Sequence, residues 1–322
     1  MPVIHRSSYP GAPRYLYNGH LQTIVPSALR KVKGVVYERE RLELPDGDFL
    51  DLDWVDRGSQ RLVLLTHGLE GDSRRHYMLG TAKLFGRAGW DVLAWNCRSC
   101  SGEMNRTFRL YNHGEIGDIA AVIHHALRTK RYEEVVLVGY SMGGNITMKY
   151  LGVHGREVPD VIRRGVAFSA PADLRASAAI LDRPSNRFYK QRFLSKLSRK
   201  VLLKAAQYPG SLDVSRLGTI GLWRDFDEAF SAALGGYLDA DDFYAQASAL
   251  NYLAGIQVPV LLANALNDPI LTPECAPYVL AEQHPHFFLE TPATGGHVGF
   301  LVPGDEHTWA ERRALQFVRE KI

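Results

Sequence analysis

Val135-Val136-Leu137-Val138-Gly139-Tyr140-Ser141-Met142-Gly143-Gly144-Asn145-Ile146-Thr147-Met148-Lys149-Tyr150-Leu151 is the stretch on which the reading of this chain turns. An apolar β-branched run leads into a Gly-x-Ser-x-Gly turn, and a helical segment follows without a break. That order builds a nucleophile elbow, a tight strand-to-helix turn with a serine at its tip. A serine hydroxyl is a poor nucleophile and must be both exposed and activated. The turn lifts it from the edge of the sheet, and Gly139 and Gly143 let the backbone bend where a Cβ would interfere. The helix behind Ser141 aims its free amides and the positive end of its dipole at any oxyanion that forms there. The competing reading is a glycine-bounded turn with an idle serine. The strand before it and the helix after it argue for the elbow.

Working outward, strand and helix signals alternate, as in a largely parallel sheet covered on both faces. Val35 to Leu44 and Phe49 to Val55 alternate apolar with polar residues around Pro45-Asp46-Gly47-Asp48, an antiparallel hairpin. Leu62 to Thr66 and Trp90 to Trp95 read as strands buried on both faces. Between them lies a helix over Tyr77 to Arg87. A second helix, Glu115 to Arg128, carries Ile116, Ile119, Ala120, Ile123 and Leu127 on one side. After the strand Gly165 to Ser169 the strand signals cease until Val258 to Ala263 and His286 to Glu290, and a helix over Glu306 to Arg319 closes the chain. The expected fold class is α/β, a mostly parallel central sheet flanked by helices. The core spans 35–170 and 254–322, a helical cap is inserted at 171–253, and residues 1–34 form an N-terminal extension packing on the core.

Ser141 needs a base, an acid to orient that base, and donors for an oxyanion. Behind such an elbow the partners follow in the order Ser, Asp or Glu, His. Asp268 comes just after the strand ending at Ala263, where catalytic groups emerge from parallel sheets. An Asx turn before Pro269 is its alternative use, and Asp173 is the reserve acid. His297 sits in Thr294-Gly295-Gly296-His297-Val298-Gly299-Phe300, a glycine-rich loop after the last strand. Of the 12 histidines, His284, His286 and His307 are nearby, but only His297 has both the order and the loop. The loop His67-Gly68-Leu69-Glu70-Gly71 offers the Leu69 N–H as the partner of the Met142 N–H in the oxyanion hole. His67 is expected to brace that loop. Glu70, a charge beside an oxyanion site, should point away or pair with Arg74, Arg75 or another base.

Composition limits the alternatives. A chain of 322 residues, 46% apolar and 23% charged, has an ordinary globular balance. A net charge of +3 is too weak to indicate a nucleic-acid partner. No apolar run approaches the roughly 20 residues of a bilayer span, and the first residues lack the apolar core of a signal peptide, so the cytoplasm is expected. Three cysteines, few and odd in number, agree. Cys97-Arg98-Ser99-Cys100 has neither a second ligand pair for zinc nor a thioredoxin-like context. Without His-Glu-x-x-His, a phosphate loop or a Gly-x-Gly-x-x-Gly after the first strand, no metal and no cofactor are expected.

The chain resembles the YheT-like esterase branch of the α/β-hydrolase superfamily over nearly its whole length. The resemblance rests on Asn18-Gly19-His20-Leu21-Gln22-Thr23, His67 to Gly71, Asn96 to Glu103, Gly139 to Asn145 and Gly295 to Phe300. It implies an α/β-hydrolase fold, assigns the triad to Ser141, Asp268 and His297, and implies hydrolysis of carboxylic esters with short or medium acyl chains, or of lipid esters. One departure is Ser99, where such proteins usually have glycine. Acyl transfer with the same triad, or a non-catalytic binding role, remain the alternatives. Arg183, Arg187, Lys190, Arg192, Lys196, Arg199, Lys200 and Lys204 interleave with apolar residues at helical spacing. They read as a basic outer face on a cap helix that roofs the pocket, or one that also makes weak peripheral contact with anionic membranes.

Overall fold

The structure, a computed structural model, describes residues 3–320, so residues 1–2 and 321–322 of the expected terminal segments lie outside it. The chain opens with a two-residue strand β1 (Val3–Ile4) and helix α1 (Gly19–Leu29). Asn18 caps α1 by accepting the Leu21 amide at 2.8 Å. The hairpin β2 (Glu38–Glu43) and β3 (Phe49–Val55) comes next, followed by β4 (Arg61–Thr66), α2 (His76–Arg87), β5 (Asp91–Asn96) and α3 (Ile116–Thr129). Then come β6 (Glu134–Tyr140), α4 (Met142–His154) and β7 (Ile162–Phe168).

Helical structure occupies the stretch from β7 to the next strand. It contains α5 (Leu174–Leu181), the long α6 (Arg187–Gln207) and α7 (Trp223–Phe226), which passes through a π-helical turn at Asp227–Ser231 into α8 (Ala232–Gly235). α9 (Ala240–Ala247) precedes β8 (Val260–Ala263), α10 (Tyr278–Gln283), β9 (Phe287–Glu290) and α11 (Trp309–Arg319).

The strands make one nine-stranded sheet in the order β1-β9-β8-β7-β6-β4-β5-β3-β2. All neighbours are parallel except the β5–β3 and β3–β2 pairs. Strand alternation divides the interior into two cores. Leu62, Leu64, Val135 and Leu137 face α3 and α4, while Val63, Leu65, Val136 and Val138 face α2 and α11. This is why the apolar runs of β4 and β6 are continuous. α3 is rotated slightly from the face read in the sequence, with Val122 and Ala126 joining Ile119 and Ile123 in the interior. β1 and α1 are additions to that reading, since two residues and an eleven-residue helix containing Pro26 leave little periodic signal.

β6 and β4 lie side by side, and α4 starts where both end. A Cβ on Gly143 would stand 2.2 Å from the Thr66 carbonyl oxygen and 2.6 Å from that of His67, so only glycine lets α4 approach β4 this closely. Gly143→Ala is expected to lower stability by more than about 3 kcal/mol. Gly218→Ala, whose Cβ would meet nothing within 4 Å, should stay within about 0.5 kcal/mol of the parent. Denaturant unfolding of both variants checks this, and a Gly143→Ala protein as stable as the parent would contradict the packing of the elbow.

Candidate active site

Ser141 has φ +54° and ψ −122°, a conformation L-residues avoid. Its neighbours hold it there. The Ser141 amide donates to the Phe168 carbonyl at 2.8 Å, and the Ser141 carbonyl accepts from Gly144 and Asn145. Tyr140 is fully buried, stacked on Phe168, with its hydroxyl 2.6 Å from Thr81 Oγ1.

Three side chains from distant parts of the chain meet at this point. His297 Nε2 lies 2.9 Å from Ser141 Oγ, and His297 Nδ1 lies 2.8 Å from Asp268 Oδ2. Asp268 is buried, and its other oxygen accepts the Ile270 amide at 3.0 Å. That second bond fixes the carboxylate plane. An acceptor at Nδ1 leaves the lone pair of a neutral imidazole on Nε2, facing the hydroxyl.

The loops carrying Asp268 and His297 rest on α1. Gln22 Oε1 accepts from the Gly295 amide at 2.8 Å and from Asn267 Nδ2 at 2.9 Å, and Gln22 Nε2 donates to the Leu16 carbonyl at 2.7 Å. Thr23 Oγ1 accepts the backbone amide of His297 itself at 2.8 Å. The contacts leave no room for side chains. A Cβ on Gly19 would sit 1.9 Å from the Asn267 carbonyl oxygen, and one on Gly299 would sit 2.0 Å from that of Gln22. Gln22 and Thr23 are therefore site-shaping residues missed in the sequence reading, although both belong to the Asn18–Thr23 motif that carried the resemblance. Asn145, behind the elbow, is another. Its amide donates to the His113 and Ala247 carbonyls and accepts from Ala249, tying α4 to the end of the helical stretch.

In the His67–Gly71 loop most amides are taken. Gly68 donates to Tyr77 Oη, Glu70 to Tyr111 Oη and Gly71 to the Gly68 carbonyl. Among the described residues the Leu69 amide has no acceptor, and Leu69 lines the same cavities as Ser141. His67 sits beneath, bonded through Nδ1 to the Gly68 carbonyl and through Nε2 to the Cys97 amide. Burial pushes its pKa down to about 4, which keeps it a neutral brace. Glu70 pairs with neither Arg74 nor Arg75. It reaches Lys200 of α6 at 2.7 Å and accepts the Tyr111 hydroxyl.

That pairing changes the picture of α6. Lys200 and Lys204 turn inward, Lys204 donating to the Asn105 and Thr107 carbonyls, and Lys190 pairs with Asp182. The outer face is left with Arg187, Arg192 and Arg199 beside the exposed Phe188, Leu202 and Leu203. It is less basic than its composition suggested, because lysine stems dock the helix to the core.

Two cavities meet at Ser141. The larger, about 960 Å³ up to its open mouth, has apolar walls including Leu174, Phe193, Leu197, Trp223 and Phe243. The second, about 730 Å³, is bordered by Arg75, His76, Phe188, Tyr189 and Arg192. Arg75 and Arg192 form no ion pair among the described residues.

Other candidates lie elsewhere. Asp173 caps α5 by accepting the Ala176 amide, and His307 pairs with Glu311. His284 contacts the Ala254 carbonyl. Cys97, Cys100 and Cys275 are free and buried, and burial raises each thiol pKa. Ser99 adopts φ +62°, the conformation glycine would take freely, and its hydroxyl is anchored to Asn105. Among the described residues no group of three or more His, Cys, Asp or Glu is arranged to hold a metal ion, and no helix is long and apolar enough to cross a membrane.

A sheet of this order with an elbow between β6 and α4 defines a class, the α/β hydrolases, and comparison with known proteins agrees. The family profile described as alpha/beta hydrolase fold matches residues 61–303. YheT of Escherichia coli (strain K12), a candidate esterase by name, is 34% identical over 88% of this chain and 84% of its own. Phospholipase ABHD3 of Mus musculus is 28% identical over 100% of this chain and 80% of its own. Among solved structures, the Pyrococcus furiosus esterase Pf2001 superposes with a TM-score of 0.60 at 20% identity, covering 90% of this chain and 95% of that one. The chain belongs to the α/β-hydrolase superfamily, in its YheT-like esterase branch. It is an ester hydrolase of the carboxylesterase and lipase kind.

Replacing Gln22 by Met removes the acceptor that holds the Asp268 and His297 loops and the donor that ties α1 to Leu16. Turnover of a test ester should fall about a hundredfold, with circular dichroism unchanged. Full turnover would show that the loops stand without α1.

Proposed function

We propose that this protein hydrolyses carboxylic esters through an acyl-enzyme formed on Ser141. The observation that carries the reading is the continuous line of contacts Ser141 Oγ–His297–Asp268, 2.9 and 2.8 Å long. His297 Nε2 takes the hydroxyl proton as Ser141 Oγ attacks the carbonyl carbon, and Asp268 holds the tautomer and stabilises the imidazolium. The tetrahedral oxygen faces the Leu69 and Met142 amides, each worth about 3 kcal/mol in the transition state. Collapse of the intermediate expels the alcohol, which takes the proton from His297. Water, deprotonated by the same imidazole, then releases the acid.

The two cavities divide the substrate. The apolar one suits an acyl chain. The second suits an alcohol that carries negative charge, because Arg75 and Arg192 border it without ion-pair partners. A lipid ester with a phosphate on its alcohol side fits both, and the similarity to a phospholipase supports that choice. Residues 171–253 act as the cap, with core segments at 35–170 and 254–322 and the 1–34 extension bracing the base. Phe188 and Arg192 lie both on the outer face of α6 and beside the second cavity. Weak contact with an anionic membrane there would deliver the ester. Three buried free thiols suit the cytoplasm.

A fluorophosphonate probe should label the parent and leave Ser141→Ala unlabelled; equal labelling of both would discard the assignment. The double variant Arg75→Ala/Arg192→Ala should raise KM for phosphate-bearing esters at least tenfold relative to neutral esters of the same acyl chain. An equal effect on both ester types would remove the anionic-alcohol reading.

A further inference from the structure

The apolar cavity contains a carboxylate that the ester chemistry does not use. Asp227, in the π-helical turn between α7 and α8, lines the cavity that also reaches Ser141, and the residue is 4% exposed. Its Oδ1 accepts from Ser231 Oγ at 2.6 Å and its Oδ2 from Tyr244 Oη at 2.7 Å, and Ser231 and Tyr244 line the cavity too. No cation faces it among the described residues. Arg175 on α5 and Arg224 on α7, both close by, are paired instead with Asp241 at 2.6 and 2.7 Å.

Leaving a charge in such a place is costly, and burial accordingly pushes the Asp227 pKa up to about 6. A leucine or phenylalanine would fill the wall of an acyl pocket at no such cost. An ionised carboxylate has about four acceptor positions; the two hydroxyls occupy two of them and the Trp223 indole N–H lies against a third. Three donors against about four positions leave one for a ligand, on a residue that lines the cavity. The π turn itself is a costly irregularity of the kind that recurs at functional sites. Of the other polar lining groups, two are committed within the protein, while the His113 imidazole has no hydrogen-bond partner among the described residues and packs against Phe243. The Asn112 amide oxygen accepts from Gly114 and Tyr237, and the Ser177 hydroxyl donates to the Asp173 carbonyl.

We propose that Asp227, oriented by Ser231 and Tyr244, forms a polar subsite within the acyl cavity that accepts a hydrogen bond from a hydroxyl carried on the substrate's acyl chain, away from the ester. This rests on the ester-hydrolase mechanism above and specifies its acyl half. The preferred substrate is then not a plain alkanoyl ester but one whose chain bears a hydroxyl at the depth of Asp227. A plain chain of that length would bury methylene groups against an unpaired carboxylate, and a shorter one would not reach it.

The test is a series of paired esters of one alcohol, with acyl chains from four to twelve carbons ending in either methyl or hydroxyl. The quantity read is the ratio of kcat/KM for the hydroxyl-ended ester to that for the methyl-ended ester at each length. In the parent enzyme the ratio should peak at one length, about tenfold above its neighbours. Asp227→Leu should abolish the peak while methyl-ended esters of that length are turned over at least as well. Asp227→Asn, which is isosteric, should also lose it, because one uncharged oxygen, held by either Ser231 or Tyr244, replaces two charged ones; this variant serves if Asp227→Leu does not fold. A ratio without a peak in the parent, or a peak that persists in the variants, overturns the subsite. If no ester of the series is turned over and fluorophosphonate fails to label Ser141, the mechanism itself has failed and the subsite falls with it. Labelling with a flat ratio removes the subsite alone.

Discussion

Backbone meets backbone around residue 141, and the site depends on the absence of side chains at those contacts. Gly143 lies against the Thr66 and His67 carbonyls, Gly19 against Asn267, and Gly299 against Gln22, each closer than any Cβ would allow. The contacts involve five segments: the elbow and the end of β4, and α1 with the loops after β8 and β9. A reaction that needs a hydroxyl, an imidazole and a carboxylate aligned to within about half an ångström requires such rigid placement. Flexible side-chain packing alone would not hold it.

The strain this creates is concentrated at the site. Glu70, Ser141, Ser169, Val298 and Phe300 all have positive φ without being glycine, and all lie in or beside the elbow, the His67–Gly71 loop or the His297 loop. Val298 is the most unusual, being β-branched. Its amide donates to Ser169 Oγ, so one strained residue restrains another. Positions of this kind cost of order 1–3 kcal/mol each and persist only where the surroundings over-determine them. Here α1 and the packed interior on both faces of the sheet supply that support.

Much of this was legible in the sequence, for identifiable reasons. The strands β4 to β8 announced themselves because burial on both faces leaves uninterrupted apolar runs. Ser141, Asp268 and His297 stood out as candidates because each sits beyond a strand end with turn residues around it, in a fixed order, and the fold brings the three into contact. Gln22 and Thr23 were not found as part of the site, because their work is done through hydrogen bonds to the Asn267 side chain and to the Gly295 and His297 amides, 245 to 274 residues away, and no local pattern encodes that. Glu70 does pair with a base, as expected, but Lys200 was not the one named, for a related reason. Spacing on α6 assigned its lysines to an outer face, whereas Lys200 and Lys204 extend long stems inward to polar groups that only the folded chain presents. Asp227 drew no notice in a helical stretch without strands, since a carboxylate there reads as surface until its burial is known.

The whole account turns on Ser141 being the atom that takes the acyl group. The direct measurement is mass spectrometry of proteolytic peptides after rapid quenching of the protein with a slowly deacylating ester. The acyl mass should appear on the peptide containing Ser141, disappear with time as free acid accumulates, and be absent from His297→Ala quenched at the same moment. Turnover of the ester with no acyl adduct at Ser141, or an adduct on another residue that is chased into product at the catalytic rate, would contradict it.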